Sequence, residues 1–201
     1  MGIVIRLLAY VGLVAGAYFH TYADVASGTY LDDFWTEAPQ ELSLLIGGVA
    51  AAYVAYRRPA WRLLFVGIAG LAFASLFREF NNQIAAVLGK GSWLYFSLAV
   101  AVPVAFTLGR SPGAVWRQLA AIADTFAFGV YASGLLVLHV FSRFYGANPL
   151  WRAAMGDDFD RTIARISEEG IELLAYALVL LGTLELCRVG LARPQVDAGR
   201  S

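Results

Sequence analysis

Six apolar stretches, each near the length that crosses a lipid bilayer, constrain this chain more than any other feature of its sequence. A helix needs about 20 residues to traverse a hydrocarbon core of about 30 Å, and windows of that size lie at 3–22, 40–58, 61–81, 93–109, 121–143 and 168–188. A bilayer offers no water to bare backbone groups, so such windows must be helical. The expectation is an all-α polytopic transmembrane bundle of about six spans, forming one integral membrane domain over residues 1–201. Composition agrees, with 59% hydrophobic and 15% charged residues, against roughly 45–50% and about 25% in ordinary soluble domains.

The first window has an arginine, Arg6, ahead of an apolar run containing Ala15-Gly16-Ala17, a pattern that overlaps with secretory leaders. It is read here as a retained span. Gly2 does not start a myristoylation site, because position 6 is Arg where Ser or Thr is wanted. Lys+Arg and Asp+Glu balance at 15 each, so no basic surface points to nucleic acid. The lone Cys187 leaves no internal disulfide to build on and reads as an inert thiol.

The connections alternate in sign. Arg57, Arg58 and Arg62 follow the second window, Arg110 and Arg117 the fourth, and Arg188, Arg193 and Arg200 the last. By the positive-inside rule these segments and Arg6 face the cytoplasm, which puts both termini inside a bacterial-type inner membrane. The other connections hold Asp24, Asp32, Asp33 and Glu37, then Asp157, Asp158 and Asp160. Two of these outer segments, 23–40 and 144–167, mix acids with Tyr30, Phe34, Trp35, Trp151 and Phe159. Each is expected either to lie on the outer surface as an amphipathic helix or to form a loop with aromatic anchors. Either form could dock a protein partner, alongside the bilayer itself.

Helix contacts are expected at small residues: Gly12 with Gly16, Gly47-Gly48, and Gly67 with Gly70. Pro103 falls inside the fourth window and predicts a bend.

Span length draws charges into the membrane. The charge-free part of the last window, Leu173 to Leu184, is twelve residues, about 18 Å of helix, so Glu172 and Glu185 must approach the hydrocarbon. Leu42–Tyr56 and Leu63–Phe77 are fifteen residues each, about 22 Å, which pulls Glu41, Arg78 and Glu79 toward the outer boundary. The outer ends of the spans then carry His20, Glu41, Arg78, Glu79, Asn81, Asn82, His139, Glu168, Glu169 and Glu172. Ionisable groups at such depth usually face the bundle interior and have partners. On a helix that begins before the membrane, Arg161, Arg165, Glu169 (or Glu168), Glu172 and Tyr176 form one polar face. Glu169 and Glu172 stand side by side there, so a cation, a proton or an arginine such as Arg78 is expected between them.

Three readings of this layer stay open. His20, His139, Glu79, Glu169 and Glu172 could hold a divalent metal; with Glu79 or Glu172 as general base, a metal-bound water would hydrolyse a lipid or periplasmic ester. A bis-histidine haem through His20 and His139 is a remoter variant. Alternatively, Arg78 and Arg165 grip an anion while Glu172 cycles a proton, in a proton-coupled transporter of ions or small solutes whose inner half uses Asp124 and Glu185. Those two acids could instead pair with Arg117 and Arg188. The third reading is a framework: Arg78 pairs with Glu169 or Glu172, Asn81 and Asn82 cap the third helix, and Glu41 and Glu168 complement helix N-termini. It predicts a small membrane subunit or assembly protein. No nucleophile triad, phosphate loop or paired-cysteine motif is present.

Overall fold

Long apolar runs with few internal breakers dictate helices, and helices are what the chain forms. A computed structural model describes residues 3–28 and 33–192, with side chains placed from 4 to 28 and 37 to 192. Arg193 and Arg200, invoked for topology, lie outside the described residues, as do Tyr30 and Asp32; no side chain is described for Asp33, Phe34 or Trp35. The described residues contain no strand. Among these residues ten α-helices occur in order: α1 (Ile3–Ser27), α2 (Asp33–Arg57), α3 (Arg62–Glu79), α4 (Asn81–Leu88), α5 (Trp93–Gly109), α6 (Pro112–Ala123), α7 (Phe126–Leu136), α8 (Ser142–Tyr145), α9 (Asn148–Met155) and α10 (Arg161–Ala192). A π-helical turn, Val137–Phe141, joins α7 to α8, and single 3-10 turns precede α3 and follow α9.

Among the described residues five helical segments are long and apolar enough to cross a membrane: Val4–Ser27, Glu37–Arg57, Pro59–Glu79, Phe126–Tyr145 and Arg161–Ala192. A sixth is made only if α4 and α5, bent by 117° at Gly89–Ser92, count together as one broken span.

Several boundaries differ from the sequence expectation, each for a local reason. The window 121–143 is cut at Asp124 and Thr125, where Thr125 Oγ1 accepts the Phe128 N–H (3.2 Å) and starts α7 afresh. Residues 23–27 continue α1 and residues 33–40 open α2, so 23–40 holds no separate surface helix among the described residues. Within 144–167 only α9 is a helix of its own. The last helix starts seven residues before its window because Asp160 Oδ1 accepts the Thr162 N–H at 2.8 Å, capping it at Arg161. At 32 residues α10 is about 48 Å long, longer than a hydrocarbon core of about 30 Å is thick.

The chain divides into two compact units, one of residues 1–40 and 130–181, the other of residues 41–129 and 182–201. In the second unit α3 packs against α5 so closely that a Cβ on Gly70 would stand 2.6 Å from Val104. Ser97 Oγ reaches across to donate to the Ala74 carbonyl at 2.8 Å. Gln118 of α6 accepts the Leu64 N–H (2.8 Å), satisfying an orphan donor of the first turn of α3. The Arg58 guanidinium donates to the Leu191 carbonyl and does the same for the end of α10. In the first unit, α7 meets α10 backbone to backbone at Gly134, and α1 meets α10 where Gly170 faces Thr21.

Candidate functional site

The N-terminal half of α10 carries the polar face anticipated from its spacing, and in the first unit two other elements close on it. From one side comes Arg143 of α8. Its guanidinium forks, placing Nη1 3.1 Å from Glu168 Oε1 and Nη2 2.8 Å from Glu172 Oε1. The two glutamates lie one helical turn apart, so a single planar fork can serve both. Gly146, one turn beyond Arg143, lies so near the Glu168 carboxylate that a Cβ there would collide with it. On α10 itself, Arg165 Nε donates to Glu169 Oε1 at 2.6 Å. Tyr176 continues this face inward and is buried.

The π turn lies just ahead of Arg143. One wide turn shifts every following side chain around the helix axis, and such turns recur at functional positions. Ser142, fully buried, secures it by donating from Oγ to the Leu138 carbonyl at 2.6 Å. His139 sits within the turn with its side chain exposed.

From the other side comes α1. His20 Nε2 stands 3.3 Å from Asp24 Oδ2, one turn along the same helix. Together with Thr21 and Val25 they face Ile166, Glu169 and Leu173 of α10 across a small pocket of about 10 Å³, room for one water molecule.

The second unit holds the other candidates. Arg78 Nη2 is 3.4 Å from Glu79 Oε1 at the end of α3. Gln83 Nε2 donates to Glu41 Oε1 at 3.4 Å. Glu185, buried, accepts from Arg188 Nε at 3.0 Å, while Asp124 is exposed in the break after α6.

In the first unit Glu172 stands beside Arg143 and Glu169 beside Arg165; in the second Arg78 stands beside its neighbour Glu79. Two expectations are corrected. Asn81 and Asn82 open α4; the C-cap of α3 is Phe80, whose N–H bonds the Leu76 carbonyl. Glu41 and Glu168 each lie beyond the first turn of helices that start at Asp33 and Arg161, too far in to meet an N-terminal dipole. Among the described residues no three of His, Cys, Asp or Glu come together as a metal-holding group.

Arg143 is the residue that sequence reasoning passed over. Its signal was its position: an arginine at the end of an apolar run that leads into an acidic stretch implies a local carboxylate partner. The chemistry of the layer is ion pairing. Each of Asp24, Glu168, Glu169 and Glu172 stands beside a basic side chain.

No family model, curated protein or solved structure matches the chain.

Proposed function

We propose that this chain is a subunit or assembly protein of a cell inner membrane, with both termini cytoplasmic, and that it works by holding a membrane partner rather than by turning over a substrate. The observation that carries this reading is α1. Only 6% of its spanning window is buried by the rest of the chain, against 67% for α10. Val4, Leu8, Val11, Tyr18 and Phe19 are all more than 60% exposed, and nothing lies within 4 Å of a Cβ built on Gly12 or Gly16. Ala17 and Asp24 are the buried residues of α1, both toward its outer end.

The ion pairs support the same reading, since a framework uses its charges on itself. The pocket between α1 and α10 suits a water in size rather than a solute or an ester. For the topology, arginines at the proposed inner ends lie over an aromatic ring one turn further into the span: Arg6 over Tyr10, Arg57 over Tyr53 and Arg110 over Phe106, at 5.9, 5.8 and 5.3 Å. Such pairs suit a membrane boundary, with the ring in the interface and the cation at the headgroups.

The test is photo-crosslinking in native membranes from benzoylphenylalanine placed singly at Leu8, Val11 and Tyr18. A discrete protein adduct of one mass is expected from at least one of these positions. Adducts to lipid alone from all three would remove the reading, and an adduct of twice the chain's own 21.7 kDa would make the partner a second copy.

A further inference from the structure

One end of the second unit gathers arginines that have no carboxylate paired to them. Arg57 closes α2 and Arg62 opens α3 across a single 3-10 turn, while Arg110 directly follows α5 and Arg117 lies on the second turn of α6. One bond ties these two connections together: the Leu64 N–H donates to Gln118 Oε1 at 2.8 Å, beside Arg62 and Arg117 in the chain. Arg57, Arg62, Arg110 and Arg117 are all exposed, and among the described residues none of them stands in an ion pair. The neighbouring Arg58 and Arg188 are engaged, by the Leu191 carbonyl and by Glu185. Glu41 and Glu79 belong to the far ends of this unit's α2 and α3, and Asp124 lies two turns past Arg117, about 10 Å along α6. Like charges so placed repel one another until an anion comes between them.

The surface offers more than charge. Arg57 lies over the Tyr53 ring and Arg110 over the Phe106 ring, at 5.8 and 5.3 Å, each at the end of a long apolar helix. Tyr56 and Trp116, the chain neighbours of Arg57 and Arg117, are each more than 70% exposed. A ligand for this surface must set negative charge against the guanidinium groups and apolar substance against the rings. An anionic phospholipid does both, because a guanidinium fork suits phosphate oxygens and Tyr and Trp rings suit the level where headgroups meet acyl chains. A free phosphate would serve the charges and leave the rings bare. We propose that Arg57, Arg62, Arg110 and Arg117 form a binding surface for the phosphate headgroups of anionic phospholipid. Basic clusters beside a span are drawn to such lipids. The surface requires that the chain lie in a bilayer, as in the reading above, but neither a partner on α1 nor a particular orientation of the termini.

Native mass spectrometry tests the surface, with the purified full chain released from micelles that hold equal amounts of phosphatidylglycerol and phosphatidylcholine with identical acyl chains. The wild type is expected to retain phosphatidylglycerol in preference, and Arg62→Gln with Arg117→Gln to lower that preference about fivefold for each arginine replaced. Arg62→Lys with Arg117→Lys keeps the charge and should keep most of the preference. Lys90→Gln, at the other end of α5, should leave it unchanged. Arg57→Gln with Arg110→Gln reads the same loss independently, should the first pair fail to fold. Equal retention of the two lipids by the wild type overturns the proposal, as does a preference that survives both glutamine pairs or falls equally in Lys90→Gln. Displacement of the bound lipid by inorganic phosphate would make this a site for a free anion and overturns it too. None of these results bears on α1, whose crosslinks report on its partner separately.

Discussion

Replacing Gly134 by alanine is expected to be among the most damaging single-methyl changes the chain can suffer. A Cβ there would stand 2.7 Å from the Val179 amide nitrogen and 3.1 Å from the Leu178 carbonyl carbon. Neither can rotate aside, because both belong to the backbone of α10. Relief requires α7 to move off α10, which loosens the side chains packed on either side of the contact. Overpacking a rigid site typically costs 1–3 kcal/mol, and a backbone clash belongs at or above the top of that range, about 3 kcal/mol. Two other glycines calibrate the effect. Gly12→Ala meets nothing within 4 Å and should gain about 0.5–1 kcal/mol from helix propensity. Gly48→Ala meets only the Phe73 ring, at 3.1 Å, which a small ring shift accommodates. Melting temperatures of the three variants in one lipid system check this ranking. A Gly134→Ala protein as stable as wild type would mean that α7 and α10 do not meet there.

The second large effect is expected at Arg143. Arg143→Ala leaves Glu168 and Glu172 without their shared guanidinium, and the Glu172 side chain is only 13% exposed. Breaking a fully buried pair by removing one partner costs about 3–5 kcal/mol. The half-exposed arginine puts this case lower, at about 2–3 kcal/mol. Much of that loss is the penalty of uncompensated negative charge rather than the worth of the pair, so removing the carboxyl charges as well should reverse it. The triple variant Arg143→Gln, Glu168→Gln, Glu172→Gln is expected to recover most of the lost stability in the same melting assay. A triple variant as unstable as Arg143→Ala would show that the fork contributes more than charge compensation.

The contrast between Arg143 and Arg78 shows what the sequence can and cannot reveal. Spacing along one helix is legible: the polar face of α10 and the pair Arg165–Glu169 follow from a 3.6-residue repeat and nothing else. The window 93–109 is α5 itself, because Gly91 and Gly109-Arg110 punctuate it. Pairing between helices is not periodic. That Glu172 meets Arg143 depends on the rotation of α8, and that is set by a π turn whose sequence, VLHVF, looks like any apolar helix. The break at Asp124-Thr125 was hidden for a related reason. Hydropathy averages across it, whereas a single hydroxyl accepting one amide decides where α7 starts. The early start of α10 likewise rests on one side chain, Asp160. Capping chemistry acts over three residues, and a twenty-residue window cannot resolve it.

The central claim is that α1 is fastened to its own chain toward its C-terminal end and open along the rest of its length. Thr21 and Gly170 make this directly measurable. A Cβ built on Gly170 is 3.9 Å from Thr21 Cβ, inside the separation of about 3.5–4.5 Å that a disulfide spans. Replacing the threonine also removes the methyl that comes nearest, at 3.3 Å. In a Cys187→Ala background, which deletes the one native thiol, the pair Thr21→Cys and Gly170→Cys should oxidise nearly completely within the membrane, producing a faster-migrating monomer that reductant reverses. The matched control Gly12→Cys and Gly170→Cys should stay reduced. Failure of the first pair to close, or equal closure of both, would contradict the claim.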